Sequence, residues 1–395
     1  MAIHAPPPER RSAATRGQLL EVALVFLQLG ATAMGGPAAH IGLMEEVVVR
    51  RRGWVTREEF LDLIGAANLI PGPNSTELAL FLGHRRAGWM GLVVAGAAFI
   101  LPAATLSGVI AWSYVRWGAL PELRGTLNAV QPVILIVILQ AFRGLAKSAL
   151  KSRLHWLVGV GALAAGAFGV HELLLLAAAG LIVMTVERFQ SGRPTLPVSL
   201  AWIPGFDVSA VNSSSAAAPV GLAGIFGFFL KTGSVLFGSG YVLLAFLRAD
   251  LVDRWHWLTE RQLLDAIAVG QVTPGPLFST ATFIGYLLAG TPGAVVATLG
   301  IFLPAFGFVA AGSWLLRHLR GSPAARSFLD GLNTASLALL AVIVVQLTVQ
   351  IPIHWISILV LGVTLLASVL WKVPSTWLIL AAAALGGAAS RMGWW

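Results

Sequence analysis

Asn68-Leu69-Ile70-Pro71-Gly72-Pro73-Asn74-Ser75-Thr76 decides the fold, together with its counterpart Gln271-Val272-Thr273-Pro274-Gly275-Pro276, which lies 203 residues further on. A Pro-Gly-Pro triplet breaks a helix, because proline removes backbone donors and glycine favours turns. Yet each triplet sits between short apolar pieces, about 57–70 with 74–83 in one case and about 260–272 with 277–288 in the other. None of these pieces crosses roughly 30 Å of hydrocarbon by itself. Two short helices that meet at a break inside a membrane, twice over, account for the pattern.

The duplication extends outward from the triplets. Phe26 to Pro73 laid over Phe229 to Pro276, without a gap, gives 14 identities in 48 positions. Among them are Gly30/Gly233, Gly35/Gly238, Arg51/Arg254, Trp54/Trp257, Thr56/Thr259 and Asp62/Asp265. After deletion of one residue the match continues through Gly83/Gly285, Gly88/Gly290, Gly91/Gly293 and Pro102/Pro304. A Pro-, Ser- and Ala-rich stretch, roughly 190–220, separates the halves and reads as a linker. The expected organisation is an N-terminal tail at 1–17, a first repeat at 18–189, a linker at 190–220 and a second repeat at 221–395.

Composition agrees with a membrane solvent. The 395 residues are 57% hydrophobic and 11% charged, where a soluble domain carries about 25% charged residues. The net charge of +9 sits in short Lys/Arg clusters between apolar runs, which is how topology signals are placed, so a nucleic-acid surface is not implied. Trp54, Trp117, Trp156, Trp257, Trp371 and Trp377 fall at the ends of apolar runs and read as interfacial belt residues. The absence of Cys excludes disulfides, thiolate metal sites and thiol redox chemistry. No Walker A sequence is present, and His171-Glu172 lacks the second His of a metal helix. The expectation is a non-enzyme with no cofactor and no metal.

The fold class expected is an all-α polytopic membrane protein built as an inverted repeat. If the Pro-Gly-Pro pieces form a re-entrant hairpin, each half has about five spans, and an odd number inverts the second half. Charge supports inversion: His84-Arg85-Arg86 aligns with Tyr286-Leu287-Leu288, and the loop of Arg143, Lys147, Lys151 and Arg153 aligns with a stretch, 351–355, that has no Lys or Arg. In the second half the basic residues move to Arg317, Arg320 and Arg326. This count puts both termini outside the cytoplasm. A second count stays open, because Gly35-Gly36-Pro37 could fold the first segment into a hairpin too.

Matched broken helices in two halves point to a transporter binding site. A break leaves backbone groups unpaired, and the half-helix that follows aims its free N–H groups and positive dipole end at the gap, a ready anion site. Candidate substrate contacts are Gly35 and Gly36; Pro71, Gly72, Pro73, Asn74, Ser75 and Thr76; Lys231; Gly238, Ser239 and Gly240; and Gln271, Thr273, Pro274, Gly275, Pro276, Ser279 and Thr280. The hydroxyls and amides equally suit capping of the half-helices, and Lys231 equally suits snorkelling to the interface. Ionisable residues in apolar surroundings are functional candidates, so His40, Asp62, Glu77 and Asp265 are candidates for coupling. For Glu77 the alternative is complementing the helix dipole, for His40 a buried hydrogen-bonded ring, and for the two Asp residues a structural ion pair.

Phe26-Leu27-Gln28-Leu29-Gly30, Gly35-Gly36-Pro37, Ala39-His40-Ile41 and Asn68 through Pro73 resemble the first half of the chromate ion transporter family. Phe229-Leu230-Lys231-Thr232-Gly233, Phe237 through Gly240, Gly270 through Pro276 and Gly285-Tyr286 resemble its second half, and the likeness is to the long, two-domain members. Met34 stands where Phe is expected before Gly-Gly-Pro, and Asn68 stands where the second half keeps Gln271. The resemblance implies efflux of chromate across a bacterial inner (plasma) membrane, giving chromate resistance, driven by membrane potential or a proton gradient. The partners expected are a small inorganic oxyanion, the lipid bilayer and, as one assembly, a homodimer, with no nucleic acid. Sulfate shares the charge and tetrahedral shape of chromate, so a sulfate or other oxyanion permease remains an alternative, as does a passive anion channel.

Overall fold

The computed structural model describes residues 15–34, 37–117, 121–191, 220–236, 242–319, 322–350, 354–371 and 373–392. All regular structure among them is helical. In the first half α1 is Arg16–Thr32, and α2 is Pro37–Met44, which widens into a π-helix at Glu45–Arg51. These are followed by α3 (Arg57–Ala67), α4 (Asn74–Trp117), α5 (Pro121–Ala149), α6 (Arg153–Ala167) and α7 (Glu172–Gln190). The second half repeats the order. It has α8 (Leu222–Val235), α9 (Leu243–Phe246, running into a π-helix at Leu247–Arg254), α10 (Glu260–Val272), α11 (Thr280–Leu319), α12 (Pro323–Gln350), α13 (Trp355–Leu370) and α14 (Ser375–Arg391).

The first segment doubles back. Thr15 and Gln18 form a capping box at the start of α1. One turn later the Glu21 carboxylate accepts from Arg52 at 2.8 Å, from the Trp54 indole at 3.2 Å and from Arg86 at 2.7 Å. The start of α1, the end of the first π-helix and residue 86 therefore share one face. In the structure α1 with α2 forms one hairpin, and α3 with the N-terminal arm of α4 forms another.

α4 is two helices merged at Ala87 (φ −140°, ψ 29°) and Gly88 (φ 61°, ψ −150°), and α11 is merged in the same way at Ala289 (φ −149°, ψ 29°) and Gly290 (φ 60°, ψ −151°). Two breaks with matching dihedrals show that the sequence repeat is a structural one. Among the described residues, 74–117, 125–149, 277–312 and 323–346 are long and apolar enough to span a membrane.

The halves interlock in opposite senses. The long arms of α4 and α11 run antiparallel, with Gly96 against Phe306 at one end of the crossing and Trp112 lining one cavity with Thr291 and Val295 at the other. α5 packs on α13 and α14 of the second half, and α12 packs on α6 and α7 of the first. Lipid tails are as apolar as leucine, so close approach rather than water exclusion drives such contacts. The backbones of Gly125 and Gly386 touch, as do those of Gly331 and Ala179. Lys151 bonds Asp330 at 2.7 Å and Ser327 bonds Glu187 at 2.5 Å. Trp117, Trp156, Trp371 and Trp377 are exposed at helix ends, as belt residues are. Trp54 and Trp257 are half-buried instead, Trp54 on Glu21 and Trp257 against Trp255.

Candidate functional site

Each Pro-Gly-Pro loop is tied to the other half. α1 ends at Ala33 and α8 at Leu236, both turning extended with ψ near 105° (104° and 106°), which frees their carbonyls. The Gly275 N–H donates to the Ala33 carbonyl and the Gly72 N–H to the Leu236 carbonyl, both at 2.8 Å. Each loop rests beside the residue that follows a proline in the opposite long arm. A Cβ on Gly72 would stand 3.7 Å from Ala305 Cβ, and one on Gly275 would stand 3.0 Å from Ala103 Cβ. The two loops thus flank the point where α4 and α11 cross. Both triplets are buried.

Capping takes up part of the local polarity. The Thr76 and Glu77 N–H groups return to the Pro73 carbonyl at 2.7 and 3.1 Å, and the Ser279 N–H returns to Pro276 at 2.9 Å. The Asn74 amide donates to Asn68 at 2.5 Å, Thr280 to the Leu277 carbonyl at 2.8 Å and Thr273 to the Gly270 carbonyl at 3.3 Å. Ser279 makes longer contacts with Ser107 (3.4 Å) and Thr273 (3.5 Å). Other groups are left over. Thr76 Oγ1, both Glu77 oxygens, Gln271 Nε2 and His40 Nδ1 are buried with no hydrogen-bond partner among the described residues. Buried polar groups are normally paired, and these five atoms are not. His40 belongs to the same neighbourhood, edge-on to Phe99 at 5.8 Å and hydrogen-bonded to the Ala33 backbone. Gly35, Gly36, Gly238, Ser239 and Gly240 lie outside the described residues.

Two candidates sit in different settings. Lys231 ion-pairs with Asp250 at 2.7 Å, and Asp250, 1% exposed, also takes Arg254. The ammonium lies over the Phe228 and Trp255 rings, at 5.7 and 5.8 Å. Its charge is therefore answered inside a cluster. Asp250→Asn would leave two cations without their anion, and we expect a loss of about 3 kcal/mol of stability, read as a lower melting temperature in detergent. The repeat-equivalent aspartates also differ. Asp265 is buried and accepts from the Tyr114 hydroxyl at 2.8 Å, while Asp62 is exposed.

That difference extends along both helices. α10 packs on α5 and α14, and Arg261 reaches Asn128 at 3.0 Å, whereas α3 packs on α4 and the first π-helix. Asp62, Gly65 and Asn68, spaced by three on α3, form an exposed polar stripe that ends at the first Pro-Gly-Pro. At the corresponding positions Asp265 and Ala268 are buried and Gln271 is half-buried. The first break thus has an exposed face of α3 beside it, and the matching face of α10 is covered. Because the chain has no native Cys, a membrane-impermeant maleimide can test this directly. Gly65→Cys should be labelled in membranes within minutes, and Ala268→Cys only after denaturation; equal labelling would remove the asymmetry.

Comparison with known proteins adds a third kind of observation. A family model described as chromate transporter matches the chain twice, at residues 20–184 and 223–387. The chain is 30% identical over 380 residues to a chromate transport protein of Cupriavidus metallidurans, covering 93% of this chain and 92% of that one. It is 29% identical over 379 residues to a probable chromate transport protein of Synechococcus elongatus, covering 93% and 95%. It is also 30% identical over 352 residues to a chromate transport protein of Pseudomonas aeruginosa, covering 87% and 84%. No solved structure matches.

Proposed function

This chain belongs to the chromate transporter family, and from that premise we propose that it exports chromate from the bacterial cytoplasm as a secondary transporter, binding the anion at the helix breaks. The observation that carries the reading is the pair of buried Pro-Gly-Pro loops, each tied to the opposite half and each starting a half-helix, with atoms of Thr76, Glu77, Gln271 and His40 nearby that have no hydrogen-bond partner among the described residues. The two repeats, 18–189 and 221–395, would move against each other to expose the breaks to one side at a time.

Arg50, Arg51, Arg52, Arg57, Arg85 and Arg86 gather around Glu21, Glu45, Glu46 and Glu59 on one face. Such a basic face suits the cytoplasmic side of an inner membrane. A route along α3 then begins in the cytoplasm, where an exporter collects its cargo. Export of a dianion from a negative interior is downhill by about 2.3 kcal/mol per charge per 100 mV, or about 4.6 kcal/mol for two charges. The potential alone therefore suffices as a drive, and resistance follows from export.

Everted membrane vesicles loaded from outside with radiolabelled chromate test the proposal. Accumulation that needs an energised membrane and is only weakly reduced by excess sulfate is the expected result. Equal inhibition by sulfate would favour a general oxyanion permease. Flux that merely follows the anion's own gradient, with saturation absent, would favour a channel. No accumulation above empty vesicles would move the function to another anion.

A further inference from the structure

We infer that Glu77 binds a proton that travels with the anion, so that the two sequence-equivalent breaks have different tasks. The inference rests on the anion reading above and adds a cation to it. Glu77 lies in the first turn of the α4 half-helix, at the end where that helix attracts negative charge, and it is 0% exposed. Both of its oxygens lack hydrogen-bond partners. Its own N–H is already bonded to Pro73, so the side chain is not needed as a cap. One oxygen points back to the loop, where a Cβ on Gly72 would strike it.

No neighbour offsets a charge on this carboxyl. The elements packed on α4 carry Arg16 and Glu21 on α1, His40 on α2, Arg57, Glu58, Glu59 and Asp62 on α3, and Glu260, Arg261 and Asp265 on α10; Glu21 and Glu59 pair with Arg52, Arg86 and Arg85. His40 bonds Ala33, Asp265 takes the Tyr114 hydroxyl, and Asp62 lies on the exposed stripe. None of them hydrogen-bonds Glu77, and no basic side chain among the described residues forms an ion pair with it. A bare carboxylate here is an uncompensated buried charge, and it would repel the anion that the same helix turn attracts. With a proton on one oxygen, the group becomes a hydrogen-bond donor beside the first Pro-Gly-Pro loop. Proton and anion then favour each other's binding, which makes them travel in the same direction. The proton enters with the anion from one side and leaves with it on the other, and no other bond changes.

The second half has no such acid. The position of Glu77 is taken by Thr280 at an offset of 203, or by Ser279 after the one-residue deletion. Hydroxyls can solvate an anion without charge, so the second break serves the anion alone.

The test uses the purified full chain in liposomes, with chromate flux, a trapped pH dye and a potassium–valinomycin clamp, at a pH where chromate itself is fully deprotonated. The wild type should move about one proton and about one net charge per chromate. Glu77→Gln keeps a donor but cannot release a proton. Its chromate flux should be slower, should carry no protons, and should move about two charges per anion. Glu77→Asp should restore proton movement. If the wild type moves chromate without protons, or if Glu77→Gln still moves them, the inference is overturned while the anion reading stands. If the wild type moves no chromate, the anion reading itself has failed.

Discussion

Gly275→Ala protein is expected to reach the membrane in normal amount and to move chromate at least about tenfold more slowly than the parent chain. Two terms act at this residue. Its φ is 89°, in the left-handed region, where a side chain costs about 1–3 kcal/mol. A Cβ would also stand 3.0 Å from both the Ala103 methyl and the Gly30 carbonyl oxygen, and these belong to different helices. The cheapest relief is for the loop to leave its seat, which breaks the bond from the Gly275 N–H to Ala33 and moves the start of α11 with it. Helices that cross the membrane are untouched, so insertion should survive. Gly72→Ala, at φ 133°, should act in the same direction but more mildly, because its Cβ would meet the movable end of Glu77 rather than backbone. Quantitative blotting of membranes alongside vesicle uptake separates insertion from transport. Wild-type uptake by both variants would show that the loops are mere turns and that the anion binds elsewhere.

The breaks could be read from sequence because they are local: Pro-Gly-Pro inside an apolar run has one backbone meaning wherever it occurs. The duplication was legible for a similar reason, since Trp, Gly and Pro fell in register over 48 residues. What lay beyond the sequence is long-range. Hydropathy distinguishes lipid from water, not a helix that resumes from one that returns, so the first hairpin became visible only through Glu21 meeting Arg52 and Arg86. Lys231 looked like a lone cation because its partner, Asp250, follows 19 residues later across a break. The contrast between Asp62 and Asp265 could not be read at all, because the two residues are identical and only their coverage by α5 and α14 differs. Their equivalence did carry one piece of information: two copies of one helix in different settings are what alternating access requires of a pseudo-symmetric molecule. Under the alternating access proposed above, α3 would gain cover in the reverse state and α10 would lose its hold on Tyr114.

The larger structural effect is expected at Gly30 and Gly233, where Val should abolish folding rather than transport. A Cβ on Gly30 would lie 2.5 Å from the Phe99 carbonyl oxygen and 3.0 Å from the Phe99 carbonyl carbon; one on Gly233 would strike the Ile301 carbonyl in the same way. These neighbours are backbone atoms in the middle of the long arms, three residues before Pro102 and Pro304, so no rotamer change relieves the contact. The helices must move apart instead. Close packing is the main attraction between helices in lipid, so separating α1 from α4 gives up attraction along their shared length. Overpacking of this kind costs about 1–3 kcal/mol in a core that can adjust, and a rigid backbone neighbour puts the cost at the upper end or beyond. The Ala33 and Leu236 carbonyls ride on α1 and α8, so each substitution also displaces the cross-tie to the opposite loop. Fluorescence-detected size exclusion should show aggregated protein for Gly30→Val and Gly233→Val, and a single folded peak for Gly275→Ala. A folded peak with active transport for Gly30→Val would mean that α1 and α4 do not meet at this crossing, and the hairpin assignment of the first segment would have to be withdrawn.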